Sequence, residues 1–383
     1  LQLGKVVMGN ESSKKEEPHL EGKVKFTGQD YRVSEIWKQR FNQLTNGEET
    51  LRADHLLVRF GRELGLVLWK AWTGDTPSSL TVEEWFPHAY PLFSSSDAWL
   101  QVLRDPQLAL SFSANFAGCR SSSEDCHFIQ QVLARITEYG SGVEDWNKWK
   151  HAECPRMLDS VQRYFVNSFL LSPTPLLDVP VSTILTPFMM WFLRCGIPVF
   201  YLSHEKESES SWDLLHSSAS GGLSSSRFES SVFGYRSATI TFFRTVEGIF
   251  AVGCDSEWRN SGSRFGGADC WMQQLAPSVA TREHGAASLY CNLKLRTAPL
   301  AISWKHTTIT DNNFTNVLDI EVWACGPSSS REDHTKLKQW QRRQTDRHAK
   351  VPLPGQWDAD KTILEMAGFT FSNEPRHTEY ERR

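Results

Sequence analysis

Between residues 33 and 44 the apolar side chains Ile36, Trp37, Phe41 and Leu44 recur every three or four positions, the spacing that lines one face of a helix. Ser34 stands where it can cap the start, and Asn46-Gly47 breaks the pattern. Leu56, Leu57, Phe60, Leu64, Val67, Leu68 and Trp72 carry the same period over 51–72, which predicts a second helix ended by Thr73-Gly74. Segments 80–86 and 97–104 continue in that style. Three further helices are predicted over 128–138, 156–171 and 183–194, separated by breaks such as Pro173-Thr174-Pro175. From 203 to 231 the chain is rich in Ser, Glu and Gly, a loop composition.

Beyond it the period changes to two. Segments 238–243 and 249–253 flank Val246-Glu247-Gly248 and predict a hairpin. Leu289, Cys291, Leu293 and Leu295 alternate with Tyr290, Asn292, Lys294 and Arg296. Leu318, Ile320, Val322 and Ala324 alternate with Asp319, Glu321 and Trp323. One dry face in each implies an antiparallel sheet or sandwich packed on one side. Gly326-Pro327-Ser328-Ser329-Ser330 closes the sheet. A basic helical segment follows over 331–350, with seven Lys or Arg against three acids, then Pro352-Leu353-Pro354-Gly355 and a last helical stretch over 360–368.

Paired short helices near the start resemble an EF-hand pair. With Thr73 as position 1 of a calcium loop, Asp75 falls at 3 and Glu84 at 12, but Pro77 and Ser78 occupy positions 5 and 6, where an oxygen ligand and a glycine are needed. The pair is degenerate and no metal ligand set is expected. A net charge of -4 gives no positive field for wholesale nucleic-acid binding. The eight cysteines, at 119, 126, 154, 195, 254, 270, 291 and 325, form no C-x-x-C pair, which reads as buried free thiols in a reducing compartment.

The longest apolar stretch, 179–202, is interrupted by Pro180, Pro187, Arg194 and Pro198. It is expected to form a buried core helix rather than a membrane span. No signal-peptide pattern is expected in the first thirty residues, and 1–28 reads as a solvated, disordered tail. Within it, Met8-Gly9-Asn10-Glu11-Ser12-Ser13 fits the N-acylation pattern. With Met8 as the translation start, Gly9 becomes a myristoyl acceptor and gives a weak, reversible hold on a membrane.

Catalytic signatures are missing from the sequence. It holds no P-loop, G-x-G-x-x-G, G-x-S-x-G or H-E-x-x-H. His204-Glu205 begins the last of these, but Ser208 takes the place of its second His. Cys126-His127 and His151-x-x-Cys154 lack the companions that would complete a zinc site or a thiolate–imidazole pair. No catalytic residue and no cofactor is therefore expected.

Four stretches resemble a TLDc domain. Trp212, Leu214, Leu215, Ser217 and Gly222 resemble its opening, W-x-L-L-(F/Y)-S-x-x-x-H-G-x-S, with Gly221 where the family has His. Ile249-Phe250-Ala251 resembles its V-F-G strand. Gly266, Asp269 and Trp271 fall in a stretch similar to its G-x-G-E-x-F-(L/V) segment, with Asp269 for the usual Glu. Asp319, Ile320, Glu321, Val322 and Trp323 match its closing D-x-E-V-W strand. The Gly-rich run expected before F-G-L-W is replaced by residues 296–304.

The resemblance implies an α+β protein with a helical, EF-hand-like N-terminal half over 29–202, a TLDc antiparallel β-sandwich over 203–326, and a basic linker and C-terminal helix over 327–383. Trp212, Phe250, Trp271 and Trp323 suit the core between two sheets, and the acids at 269 and 321 suit the tying of loops to the sheet. The Met-Gly-Asn start and the tail around Trp357 and residues 363–368 resemble the myristoylated, lysosome-associated TLDc subgroup of mTOR signalling, whose fungal relatives are the restriction of telomere capping proteins.

That resemblance implies a non-enzymatic adaptor or regulator with roles in oxidative-stress resistance. It would bind the peripheral stalk or head of the vacuolar-type proton-pumping ATPase (V-ATPase) and lie peripherally on a lysosomal or vacuolar membrane. Two other readings stand beside it: a thiol-based antioxidant enzyme using Cys254 or Cys270, and a structural component of a cytoskeletal or ciliary assembly.

Overall fold

The structure, a computed structural model, describes residues 23–26, 29–74, 79–170, 179–202, 212–349, 363 and 366–367. They fall into two compact units, one reaching Phe233 and resuming over Ser237–Gly326, the other made of Gly234–Arg236 and the chain from Pro327.

Strands β1 (Lys23–Phe26) and β2 (Gln29–Arg32) form an antiparallel hairpin. Residues 23–26 are therefore a strand where the sequence predicts a tail. Helix α1 (Glu35–Thr45) buries Phe41 and Leu44, and its C-cap Asn46 takes the left-handed conformation at φ 54°, the break that Asn46-Gly47 announces.

The single helix expected over 51–72 is two, α2 (Ala53–Phe60) and α3 (Arg62–Thr73). Gly61, at φ +80°, turns the chain between them. Gly65 lets α3 cross α2 closely, since a Cβ there would sit 2.8 Å from the Leu56 carbonyl. Helix α4 (Val82–Ser94) runs past the predicted end at 86, straight through Pro87 and Pro91. Its buried face of Trp85, Phe86, Ala89 and Leu92 outweighs the two lost backbone bonds. Glu84 is spent capping this helix, accepting from the Thr81 N–H at 2.8 Å. Residues 75–78, the middle of the degenerate calcium loop, lie outside the described residues.

A 3-10 turn over Ser96–Gln101 leads to α5 (Pro106–Phe116), which the hydrophobic pattern missed although Asp105 caps it and Pro106 opens it. Then come α6 (Cys126–Tyr139), α7 (Val143–Glu153), also missed, α8 (Asp159–Asn167) and α9 (Pro187–Gly196). Every residue of α9 from Phe188 to Cys195 is buried, as a core helix requires. Among the described residues no helix is long and apolar enough to cross a membrane.

Of the Ser-rich stretch predicted as loop, residues 203–211 lie outside the described residues, and the rest is not loop throughout. It holds β3 (Asp213–Ser217), the one-turn α10 (Ser218–Gly221) and α11 (Ser225–Val232). The predicted hairpin is β4 (Thr239–Thr245) and β5 (Gly248–Cys254). There follow β6 (Trp271–Ala276), β7 (Glu283–His284), β8 (Leu289–Asn292), β9 (Ala301–Trp304), β10 (Thr307–Asp311) and β11 (Val317–Ala324). All pairings are antiparallel, giving a six-stranded sheet in the order β3-β11-β4-β5-β6-β7 and a three-stranded sheet β10-β9-β8.

The six-stranded sheet is packed on both faces, which corrects the expectation of one dry side. Phe243, Phe250, Val252, Met272, Ile320 and Val322 join Leu289, Cys291, Ile302 and Trp304 of the smaller sheet in one core. Ile240, Phe242, Ala251, Trp271 and Trp323 point the other way and join the core of the helices. Of the four anchors expected between the sheets only Phe250 is there; Trp212, Trp271 and Trp323 belong to the helical side.

Two details of the alternation also differ. Leu318 is 54% exposed because the β11–β4 register shifts between Val317 and Asp319. Strand β8 stops at Asn292, whose side chain holds the next loop through the Leu295 N–H and the Leu295, Ala298 and Pro299 carbonyls, and this leaves Leu295 outside.

In the second unit α12 (Ser328–Ala349) is the expected basic helix. It packs Leu337 against Gly234 and His334 edge-on against Tyr235. Of the predicted 360–368 helix, only Ile363, Met366 and Ala367 are described, and the Ala367 N–H bonds the Ile363 carbonyl at 3.1 Å in a helical turn.

Candidate functional site

Of the family-motif residues, Trp212, Trp271, Glu321 and Trp323 lie on the seam between the helices and the six-stranded sheet, while the others lie elsewhere. Glu321 projects from β11 to the helical side and is 1% exposed. Its Oε1 accepts from the Thr183 N–H at 2.7 Å and the Thr183 hydroxyl at 2.6 Å, and its Oε2 from the Ser182 hydroxyl at 2.5 Å and the Trp323 indole at 3.2 Å. Four donors on one buried carboxylate leave it no lone pair for chemistry. They fasten the segment before α9 to the middle of the sheet. Next to it Thr186 caps α9 through the Met189 N–H and donates its hydroxyl to Asp125, which also receives the Ser122 N–H at 2.7 Å.

A second latch is Arg282, 6% exposed. Its Nη2 donates to Gln273 Oε1 at 2.8 Å and its Nη1 to the Glu153 carbonyl at 3.3 Å, and the guanidinium lies 5.5 Å above the Trp271 ring. Arg194 of α9 stacks 4.8 Å from the Trp212 ring, whose indole N–H donates to the Tyr201 carbonyl at 3.0 Å. The Tyr201 hydroxyl in turn donates to the Asp269 carbonyl at 3.0 Å, and burial pushes its pKa far up, so the phenol stays neutral. The tryptophans of the motif thus hold helix to sheet.

Asp269 does not tie its loop by side-chain acceptance; its carboxylate is exposed. The work falls to Asp255, just past β5, which accepts from the Gly267 N–H at 2.7 Å, the Asp269 N–H at 3.2 Å and the Cys270 thiol at 3.1 Å. The signal open to sequence reading was an Asp directly after a strand end, a common turn position. Gly266 is required where it stands, with φ +101° and a hypothetical Cβ only 2.5 Å from the Cys270 sulfur.

Asp319 is half-buried at the other end of β11, accepting from the Ser218 hydroxyl and paired with Arg244, each at 3.2 Å. Gly222 sits at φ +80° beside Arg227, Ser217 is buried, Leu215 packs on the inter-sheet core, and Leu214 is 47% exposed. Gly9 lies outside the described residues.

Cys254 and Cys270 face each other where the β5–β6 ladder, paired through Gly253 and Trp271, runs one step on. Both are fully buried, and the Cys254 sulfur beside it together with burial pushes the Cys270 thiol far up. Burial also opposes ionisation of Cys254, but the hydrogen bonds from Cys270 and Ser256 outweigh it and hold that thiol below the ordinary range, so of the two only Cys254 has the lowered pKa of a reactive cysteine, and neither has the exposure. Among the described residues no group of three His, Cys, Asp or Glu is placed to hold a metal.

Compared with known families, residues 181–302 match the TLDc domain. The chain therefore carries a TLDc domain on a mixed scaffold of helices and antiparallel sheet. The match opens at 181, earlier than the boundary at 203 read from sequence, and the Ser182-Thr183 clamp on Glu321 explains why that segment belongs with the sheet. No curated protein matches the chain.

Proposed function

We propose that this protein is a non-enzymatic TLDc regulator that binds the vacuolar-type proton-pumping ATPase at endolysosomal membranes, with roles in stress resistance or mTOR signalling. One observation supports this above others: both acids of the closing TLDc strand are engaged by the fold, Glu321 on four donors and Asp319 on Ser218 and Arg244. Such a framework presents an outer surface rather than a reaction centre. The sandwich grips the stalk or head of the pump, and residues 331–371 reach a second subunit.

Helix α12 has the means for that contact. Trp340 is 57% exposed among the surface charges Lys336, Arg342 and Arg343, the pairing of aromatic and Arg that anchors interfaces. An acyl group on Gly9 adds the weak membrane hold that a single chain supplies.

The test is co-sedimentation of the purified full chain with membranes containing the pump, with and without nucleotide. Retention that depends on the pump is expected. Absence from the pump-containing pellet under every nucleotide condition overturns the proposal.

A further inference from the structure

The side chain of Asn292, fully buried at the end of β8, is used up on the loop that follows. Its Oδ1 accepts from the Lys294 N–H at 3.3 Å and the Leu295 N–H at 2.8 Å, and its Nδ2 shares its hydrogens among the carbonyls of Leu295 at 2.9 Å, Ala298 at 3.2 Å and Pro299 at 3.0 Å. The Tyr290 hydroxyl donates to the same Pro299 carbonyl at 2.7 Å. A loop fastened at so many points presents Leu295, 42% exposed, in a fixed place, so little ordering remains to be done when that side chain meets a partner.

The loop between β5 and β6 packs beside it. The Ser261 N–H donates to the Cys291 carbonyl at 2.9 Å, Asn260 Oδ1 accepts from the Leu293 N–H at 2.7 Å, and a Cβ on Gly262 would lie 3.8 Å from that of Ala298. Over 256–265 and 293–299 the two loops hold four cations, Arg259, Arg264, Lys294 and Arg296, all exposed, against the single acid Glu257. Lys294 pairs with the buried Glu229 of α11. The three arginines pair with no carboxylate among the described residues. Arg259 lies 5.3 Å from the centre of the Phe265 ring and Arg264 6.0 Å from that of Tyr290, and Arg264 also donates to the Ser288 and Lys305 carbonyls. Such contacts place a guanidinium without neutralising it.

We propose that these two loops are a docking surface for anionic phospholipid, with Leu295 entering the edge of the acyl layer and Arg259, Arg264 and Arg296 taking lipid phosphates. The proposal rests on the reading of the chain as a peripheral membrane protein and names the face that meets the bilayer. A lone aliphatic side chain between Lys294 and Arg296 suits a headgroup layer, because the stems of both cations lie along apolar surface while their charges stay with the phosphates. The rings of Trp258, Phe265 and Tyr290 are buried, which leaves no stacking platform for nucleic-acid bases and no aromatic anchor for a protein partner. The surface falls where residues 296–304 replace the Gly-rich TLDc run.

The test uses the full chain without an acyl group and vesicles that contain no pump. Co-sedimentation is expected with vesicles of equal parts phosphatidylcholine and phosphatidylserine, weakening as salt is raised, and is not expected with phosphatidylcholine alone. Arg259→Gln and Arg296→Gln should each weaken retention about fivefold, one cation's share of the attraction. Leu295→Ser should weaken it about tenfold at unchanged charge and unchanged Tm, since it forfeits the burial of an exposed aliphatic group. Arg62→Gln, which removes an exposed cation from α3, should leave it as it was. Retention on neither vesicle, equal retention on both, or loss with Arg343→Gln of α12 but not with Arg296→Gln overturns the proposal. Because these vesicles hold no pump, failure here leaves pump binding standing, and failure to bind the pump leaves this surface standing.

Discussion

Replacing Glu321 by Ala removes the acceptor shared by Thr183, Ser182 and Trp323. The two hydroxyls can turn to other partners, but the Thr183 N–H and the Trp323 indole N–H are fixed and lose theirs. Each stranded donor costs about 1–3 kcal/mol, and the lost bonds were to a charged group, so the total is about 3–5 kcal/mol. For the roughly 280 described residues of the first unit, an unfolding entropy of about 2.1 cal/mol/K per residue sums to about 0.6 kcal/mol/K. The expected fall in Tm is therefore about 5–8 °C, followed by calorimetry or by intrinsic fluorescence, with Trp323 itself a reporter. Glu321→Gln keeps the shape and one acceptor oxygen, and should lose about half as much. A Tm for Glu321→Ala within about 1 °C of wild type would refute the claim that this carboxylate fastens helix to sheet.

Gly266→Ala should destabilise by about 1–3 kcal/mol, since its φ of +101° is strained for any other residue and the new methyl meets the Cys270 sulfur, whereas Gly262→Ala, with 3.8 Å to its nearest neighbour, should stay within about 0.5 kcal/mol in the same denaturant titration. His216 is buried and its pKa is lowered, by burial first and by Arg227 second. The unfolded chain therefore takes up its proton first: stability is full above about pH 6.5 and falls as pH drops below that toward the folded-state pKa. His216→Phe should flatten that part of the stability–pH curve, with the lowered pKa values of His88 and His284 accounting for what slope remains. Trp340→Ala should leave Tm unchanged, because the side chain is exposed, while weakening co-sedimentation with pump-containing membranes severalfold.

Local chemistry was legible where neighbours in sequence decide it. The Asn46 cap, the hairpin around Val246-Glu247 and the basic helix α12 follow from backbone preference and period alone. The split at Gly61 and the survival of α4 through Pro87 and Pro91 did not, because close crossing with α2 and a buried aromatic face settled them. The motif residues were recognisable, but their roles were not. Alternation along β11 marks which side chains share a face, yet says nothing of what covers the face opposite. Here helices distant in the chain cover it, so Glu321 and Trp323, polar-side positions by pattern, became interior. Burial is set by the sum of neighbours in space, and for the seam where Glu321 and Arg282 lie, those neighbours come from segments more than a hundred residues apart.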